Sequence, residues 1–106
     1  MDVETFRKLV KLDPEDALSR FGLGKKLLET GDLQEAAEQL RFANRKAPTH
    51  LATYHALGQV LIQLGLHDEA RKVLEEGLRR AADVGEGMGR DLGPAMEEML
   101  KDLPAG

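Results

Sequence analysis

Cysteine and tryptophan are absent from the 106 residues, and aromatic side chains make up only 4 % of them. Without cysteine there can be no disulfide scaffold, zinc ribbon or thiol nucleophile. Long apolar runs are missing too. None approaches the ~18 residues that a membrane-spanning helix needs, and the opening MDVETFRKLV mixes acids and bases into an amphipathic pattern. Neither a membrane span nor a signal or transit peptide is therefore expected, and the reading is of a cytoplasmic protein. Positive charge is also in short supply. Lys+Arg 15 against Asp+Glu 19 gives a formal net charge of −4, with no basic block. That balance argues against nucleic acid or an anionic membrane surface as a partner. What is present, 42 % hydrophobic and 32 % charged residues, is the composition of one ordinary soluble domain. At about this length a chain buries roughly 60 to 65 % of the surface its unfolded form exposes, enough for a packed core without staples.

Self-similarity supplies the organisation. Sliding the chain by thirty-four positions sets Leu23 on Leu57, Gly24 on Gly58, Leu27 on Leu61, Gly31 on Gly65, Glu35 on Glu69, Ala36 on Ala70, Leu40 on Leu74 and Ala47 on Ala81, without a gap. Each unit reads as two helices. In the first, Leu23, Leu27 and Leu28 recur with a helical period from Ala17 to Thr30. Gly31 then offers a left-handed stop, and Asp32 with Glu35 three residues on suggests a capping box that restarts the chain as a second helix. So tight a turn makes the two helices antiparallel. The second buries Ala36, Ala37, Leu40 and Ala43 and ends before Pro48, which disfavours helix at Ala47. The second unit repeats the course from Leu51 through Gly65 to about Ala82. Gly24 and Gly58, in mid-helix, each cost about 1 kcal/mol relative to alanine, so a close approach by another helix is expected at both.

These residues resemble the tetratricopeptide repeat family. The second unit matches its pattern with Tyr54, Leu57, Gly58, Leu61, Gly65, Ala70, Leu74 and Gly77, and the first with Leu23, Gly24, Leu27, Gly31, Ala36, Leu40, Ala43 and Pro48. Departures fall at Arg20, in place of an aromatic, at Leu27 and Leu61, in place of tyrosine, and at Ala82, in place of proline. The resemblance implies an all-α fold, a right-handed α-α superhelix of about six antiparallel-stacked helices.

The flanks extend the register. Phe6, Leu9 and Pro14 precede Leu40, Ala43 and Pro48 by the same thirty-four positions. The resulting division of a single domain over 1–106 is a half-repeat helix at 2–12, repeat one at 17–48, repeat two at 51–82, a glycine-rich hinge at 83–93 and a C-terminal capping helix at 94–103. The cap would cover the apolar face that a terminal repeat leaves open, with Ala95, Met96, Met99, Leu100 and Leu103 on one side.

Catalysis finds no constellation. His50, His55 and His67 share no i, i+3 or i, i+4 relation, Ser19 is the only serine, and GEGMGRDLG lacks the strand before and the Lys-Ser/Thr after that a phosphate loop requires. No enzyme activity, metal or cofactor is expected. What remains is a surface. The resemblance places the first helices of successive repeats along a concave groove, which assigns Leu18, Phe21, Lys25 and Glu29 from repeat one and Ala52, His55, Gln59 and Gln63 from repeat two to a peptide-binding face. The implied function is a non-catalytic scaffold or adaptor that holds a segment of another protein. The family's grip on a free C-terminal carboxylate is not implied, because its positions here hold Phe21, Lys25, Ala56, Glu86 and Arg90. An alternative is a self-associating subunit whose groove is filled by its own C-terminal helix. Phe42, two residues after Leu40 and matched by Glu76 in repeat two, points away from the contact within the repeat and offers a second route to a homo-oligomer.

Overall fold

The computed structural model describes residues 1–84 and 88–105. Among them the regular structure is six helices: α1 (Val3–Leu12), α2 (Ala17–Thr30), α3 (Leu33–Lys46), α4 (Leu51–Gln63), α5 (His67–Val84) and α6 (Met88–Asp102). The all-α expectation is met. The chain divides into two compact units, Met1–Pro48 with α1 to α3 and Thr49–Gly106 with α4 to α6.

In the first unit the starts of α1 and α2 are each set by a short polar side chain. Asp2 accepts from the Thr5 amide at 2.9 Å and from its hydroxyl at 2.8 Å, and Asp16 accepts from the Ser19 amide at 3.2 Å and from its hydroxyl. Both carboxyls are held below their ordinary value, Asp2 mainly by the Thr5 amide and Asp16 mainly by the Ser19 hydroxyl. Gly31 closes α2 at φ 87°, its amide bonding the Leu28 carbonyl at 3.2 Å while the Asp32 amide bonds that of Leu27 at 2.9 Å. The reversal folds α3 back on α2. There a Cβ on Gly24 would lie 2.7 Å from Leu40 Cγ, the close approach expected in mid-helix.

Two expectations fail here for identifiable reasons. Asp32 makes no side-chain cap bond to α3. Its carboxylate accepts from the Thr30 hydroxyl at 2.7 Å, and Glu35, instead of reaching back, takes both Arg7 nitrogens at 2.6 and 2.9 Å. The capping box is thereby replaced by a tie from α1 to α3. Nor does Phe42 point away from α2. The Arg20 guanidinium lies 4.3 Å from its ring centroid, with Nε donating to the Pro14 carbonyl and Nη1 to Gln39 Oε1, both at 3.0 Å. Arginine at the position where the repeat pattern wants an aromatic is thus matched by an aromatic on the facing helix.

The second unit repeats the hairpin. Gly65 takes φ 77°, and the Gly65 and Leu66 amides bond the Ile62 and Leu61 carbonyls at 3.0 and 2.9 Å. A Cβ on Gly58 would meet Leu74 Cδ2 at 2.5 Å and the Met99 methyl at 3.3 Å, so α5 and α6 both crowd this turn of α4. Tyr54, Leu57, Val60, Leu61, Leu74 and Met96 are buried around it. Helix α6 starts at Met88, six residues before the expected Pro94, and Val84 still belongs to α5. Of the hinge expected at 83–93, residues 85–87 lie outside those described, and the remainder is helical. Pro94 within α6 forgoes one amide donor without ending the helix, and Gly93 one residue earlier faces Ala81 of α5, where a Cβ would make an ordinary contact at 3.8 Å.

Candidate functional site

Helix α4 carries His55, Gln59, Ile62 and Gln63 at spacings that stack them on one face. Helix α6 does the same with Ala95, Glu98, Met99 and Asp102, and Leu103 follows directly after its end. Between the two faces runs a groove of about 750 Å³, bounded also by His67 at the start of α5 and Pro104 after α6. Its chemistry divides by wall. The α4 side offers two amides and an imidazole, and the α6 side two carboxylates one helical turn apart. Ile62, Ala95, Met99 and Leu103 make the surface between them apolar.

The local sequence explains why the groove exists. Met96 is fully buried and Leu103 nearly so, which turns the opposite side of α6 to solvent. Met96 reaches the α5 backbone because position 77 is glycine, where a Cβ would sit 2.7 Å from the Met96 sulfur. The tail beyond is held by Arg71, whose Nη2 donates to the Pro104 carbonyl at 2.6 Å. Helix α6 consequently forms one wall of the groove and leaves the space beside it open.

Of the residues assigned from sequence, His55, Gln59 and Gln63 come together in this groove. Ala52 shares their helix, half-buried and outside the lining. Leu18, Phe21, Lys25 and Glu29 lie on α2 in the first unit. Leu18 is 60 % exposed, Phe21 is half-buried, Lys25 is exposed, and Glu29 borders a separate hollow of about 390 Å³ with Met1, Val3 and Lys26. At the positions of the carboxylate grip, Ala56 is buried in the core of the second unit, Arg90 is exposed on α6, and Glu86 lies outside the described residues.

Sequence reasoning missed the α6 wall. Four of the five lining residues from Ala95 to Leu103 lie forty positions after one on α4, as in 55 and 95, 59 and 99, 62 and 102, and 63 and 103, and Glu98 has no such counterpart. A search at thirty-four cannot find them. The signal available was the stripe Ala95, Met99, Leu103, read only as the buried side of a cap. His67 was also missed as a neighbour of His55, because the Gly65 turn that brings it to the groove separates the two along the chain.

Chemically the groove can bind and orient. Neither serine nor lysine is among its lining residues, and among the described residues no three histidine, aspartate or glutamate side chains stand together as a metal site would need. His50 lies outside it, at the start of α4, where its Nδ1 is 2.7 Å from the Thr53 hydroxyl and burial lowers its pKa. No described helix is long and apolar enough to cross a membrane.

Comparison with known proteins agrees with this architecture. Family profiles described as tetratricopeptide repeat match residues 27–86 and 3–50. A TPR repeat-containing protein of Pseudomonas aeruginosa is 36 % identical over 86 residues, spanning 81 % of this chain and 82 % of that protein. Among solved structures, the TPR2B domain of yeast Sti1 in complex with pHsp70 superposes with a TM-score of 0.81 at 20 % identity, over 93 % of this chain and 77 % of that one. The crystal structure of MamA does so with a TM-score of 0.68 at 24 % identity, over 93 % and 63 %. At those identities the structural likeness speaks for the fold, and the sequence matches speak for descent: the chain belongs to the tetratricopeptide repeat family.

Proposed function

We propose that the chain is a non-catalytic protein-binding module that holds a short segment of a partner protein against the first helix of its second repeat. The observation that carries this reading is the groove itself, in which His55, Gln59 and Gln63 stand opposite a wall supplied by α6. An apolar floor with a few convergent polar groups is the usual form of a recognition site. The yeast neighbour, solved as a complex of a TPR domain with pHsp70, supports the same general use of the fold. Leu18, Phe21, Lys25 and Glu29 on α2 are proposed as a separate binding face of the first unit.

The test is affinity capture from cell lysate with three baits: the intact chain, a His55→Ala, Gln59→Ala variant, and a Phe21→Ala variant. The reading expects a protein retained by the intact chain and lost with the groove variant, and its segment should shift the amide resonances of α4 and α6 when added as a peptide. Identical recoveries from the intact and groove-variant baits count against it.

A further inference from the structure

We propose that the α4–α6 groove selects partner segments that carry lysine or arginine between aliphatic residues, and disfavours acidic ones. This rests on the reading of the groove as the binding site and adds the chemistry of its occupant. The argument is one of charge. Among the eleven residues that line the groove the formal charges are those of Glu98 and Asp102, and no lysine or arginine is present. The two carboxylates lie at i and i+4 of α6, so they project from one face with their Cβ atoms about 6 Å apart. Glu98 has Lys101 within 3.5 Å on its own helix, but those side chains are 70 % and 69 % exposed, a pairing that an incoming cation can replace. The net charge of −4 adds a general attraction for cations.

The remaining surfaces fix the rest of the occupant. Ile62, Ala95, Met99 and Leu103 ask for aliphatic side chains, and the Gln59 and Gln63 amides can each donate to and accept from the backbone of an extended segment. From His55 to Gln63 the α4 wall is about 12 Å long at 1.5 Å per residue. An extended segment of about four residues covers that length. Alternate residues of such a segment repeat at about 6.8 Å, close to the spacing of the two Cβ atoms, so two cations one residue apart can meet both carboxylates.

The experiment measures fluorescence anisotropy of three labelled peptides against the intact chain at low salt. All three alternate leucine with a second residue, which is lysine, glutamate or serine. The lysine peptide is expected to bind about tenfold more tightly than the glutamate peptide, a preference that shrinks as salt is raised. A Glu98→Lys, Asp102→Lys variant, altered only at exposed positions, is expected to reverse the order while its circular dichroism stays unchanged. Amide shifts on lysine-peptide binding should fall on α4 and α6. Equal binding of all three peptides with shifts confined to the groove would overturn the charge selection and leave the groove reading standing. Lysine-peptide binding that the variant does not weaken, or shifts elsewhere, would overturn the proposal. Failure of every peptide to bind would remove both readings.

Discussion

At the scale of single residues, a glycine inside a helix tests whether propensity or packing governs a position. Replacing Gly24 by alanine improves helix propensity by about 1 kcal/mol. The new methyl, however, would sit 2.7 Å from Leu40 Cγ and 3.3 Å from the Ala36 carbonyl, and Leu40 is fully buried. Overpacking of that kind costs about 1 to 3 kcal/mol, so packing wins and Gly24→Ala is expected to destabilise the chain by about 1 kcal/mol net. Leu40→Ala should cost about 2 to 5 kcal/mol through the cavity it leaves. Since the added methyl would enter that cavity, the double variant should lose clearly less than the two single losses combined. Urea denaturation of the four proteins decides it: strict additivity would mean that the two positions do not share the space assigned to them. The thirty-four-residue repeat made this pair legible, because Gly58 and Leu74 recur at the same spacing. The Arg20 and Phe42 pairing was not legible. It exchanges the two partners' residue types across facing helices, and a pattern read along one strand of sequence sees only a missing aromatic at one position and a surplus one at another.

At the scale of elements, the chain ends depend on contacts that lie outside the repeat pattern. Helix α1 has no fully buried residue, and its polar tie to the rest of the unit is the pair of bonds from Arg7 to Glu35. Those bonds, with the Arg7 charge, hold the Glu35 carboxyl below its ordinary value of 4.5. A carboxylate whose pKa falls on folding stabilises the fold fully above its unfolded pKa, and that contribution disappears as pH drops through the folded pKa. The tie should therefore hold at neutral pH and weaken below about pH 4.5. We expect the melting temperature of the intact chain to exceed that of Arg7→Ala at pH 7 and the gap to narrow as pH falls below about 4.5. The gap will be modest, because the two side chains remain 38 % and 36 % exposed. Other depressed carboxyls, those of Asp2, Glu15, Asp16 and Glu76, act in both proteins and cancel in the comparison. A gap that persists at low pH would assign the effect of Arg7 to packing of its stem. At the other end, ending the chain at Val84 removes α6 and uncovers the Tyr54 and Gly77 surface on which Met96 rests. Met96→Ala alone should cost about 2 to 5 kcal/mol, so the truncation is expected to lower the melting temperature markedly. An unchanged melting curve would contradict the role of α6. The sequence made α6 visible as an amphipathic stripe but hid its start, since Pro94 reads as a beginning and here falls inside the helix. Its place as a groove wall was hidden as well, by an offset of forty positions in a chain that otherwise repeats at thirty-four.

At the scale of the whole molecule, the two routes to self-association suggested by sequence both meet an obstacle. The first was an exposed Phe42. Its ring is covered by the Arg20 guanidinium at 4.3 Å, and that arginine is itself fixed by two further bonds, so the aromatic face is not available to a second copy without breaking them. The second was a self-associating subunit whose groove is filled by its own C-terminal helix. Helix α6 forms a wall of the groove and leaves the space beside it open, with Met96 at 0 % exposure, Leu103 at 9 %, and Arg71 holding the Pro104 carbonyl. Among the described residues the large apolar side chains that remain well exposed, Met1, Leu12, Leu18, Leu66 and Val84, lie on five different segments, which needs no partner to explain it. A net charge of −4 further opposes close approach of two copies. Light scattering should therefore return the mass of one chain, 11.7 kDa, from micromolar to millimolar concentration. An Arg20→Ala variant separates the two routes, because it uncovers Phe42 without touching α6. A mass that rises with concentration only in that variant would show the arginine acting as a cover. A doubled mass in the intact chain that is abolished by ending it at Val84 would instead establish self-association through α6, and would make the groove beside that helix a property of the pair.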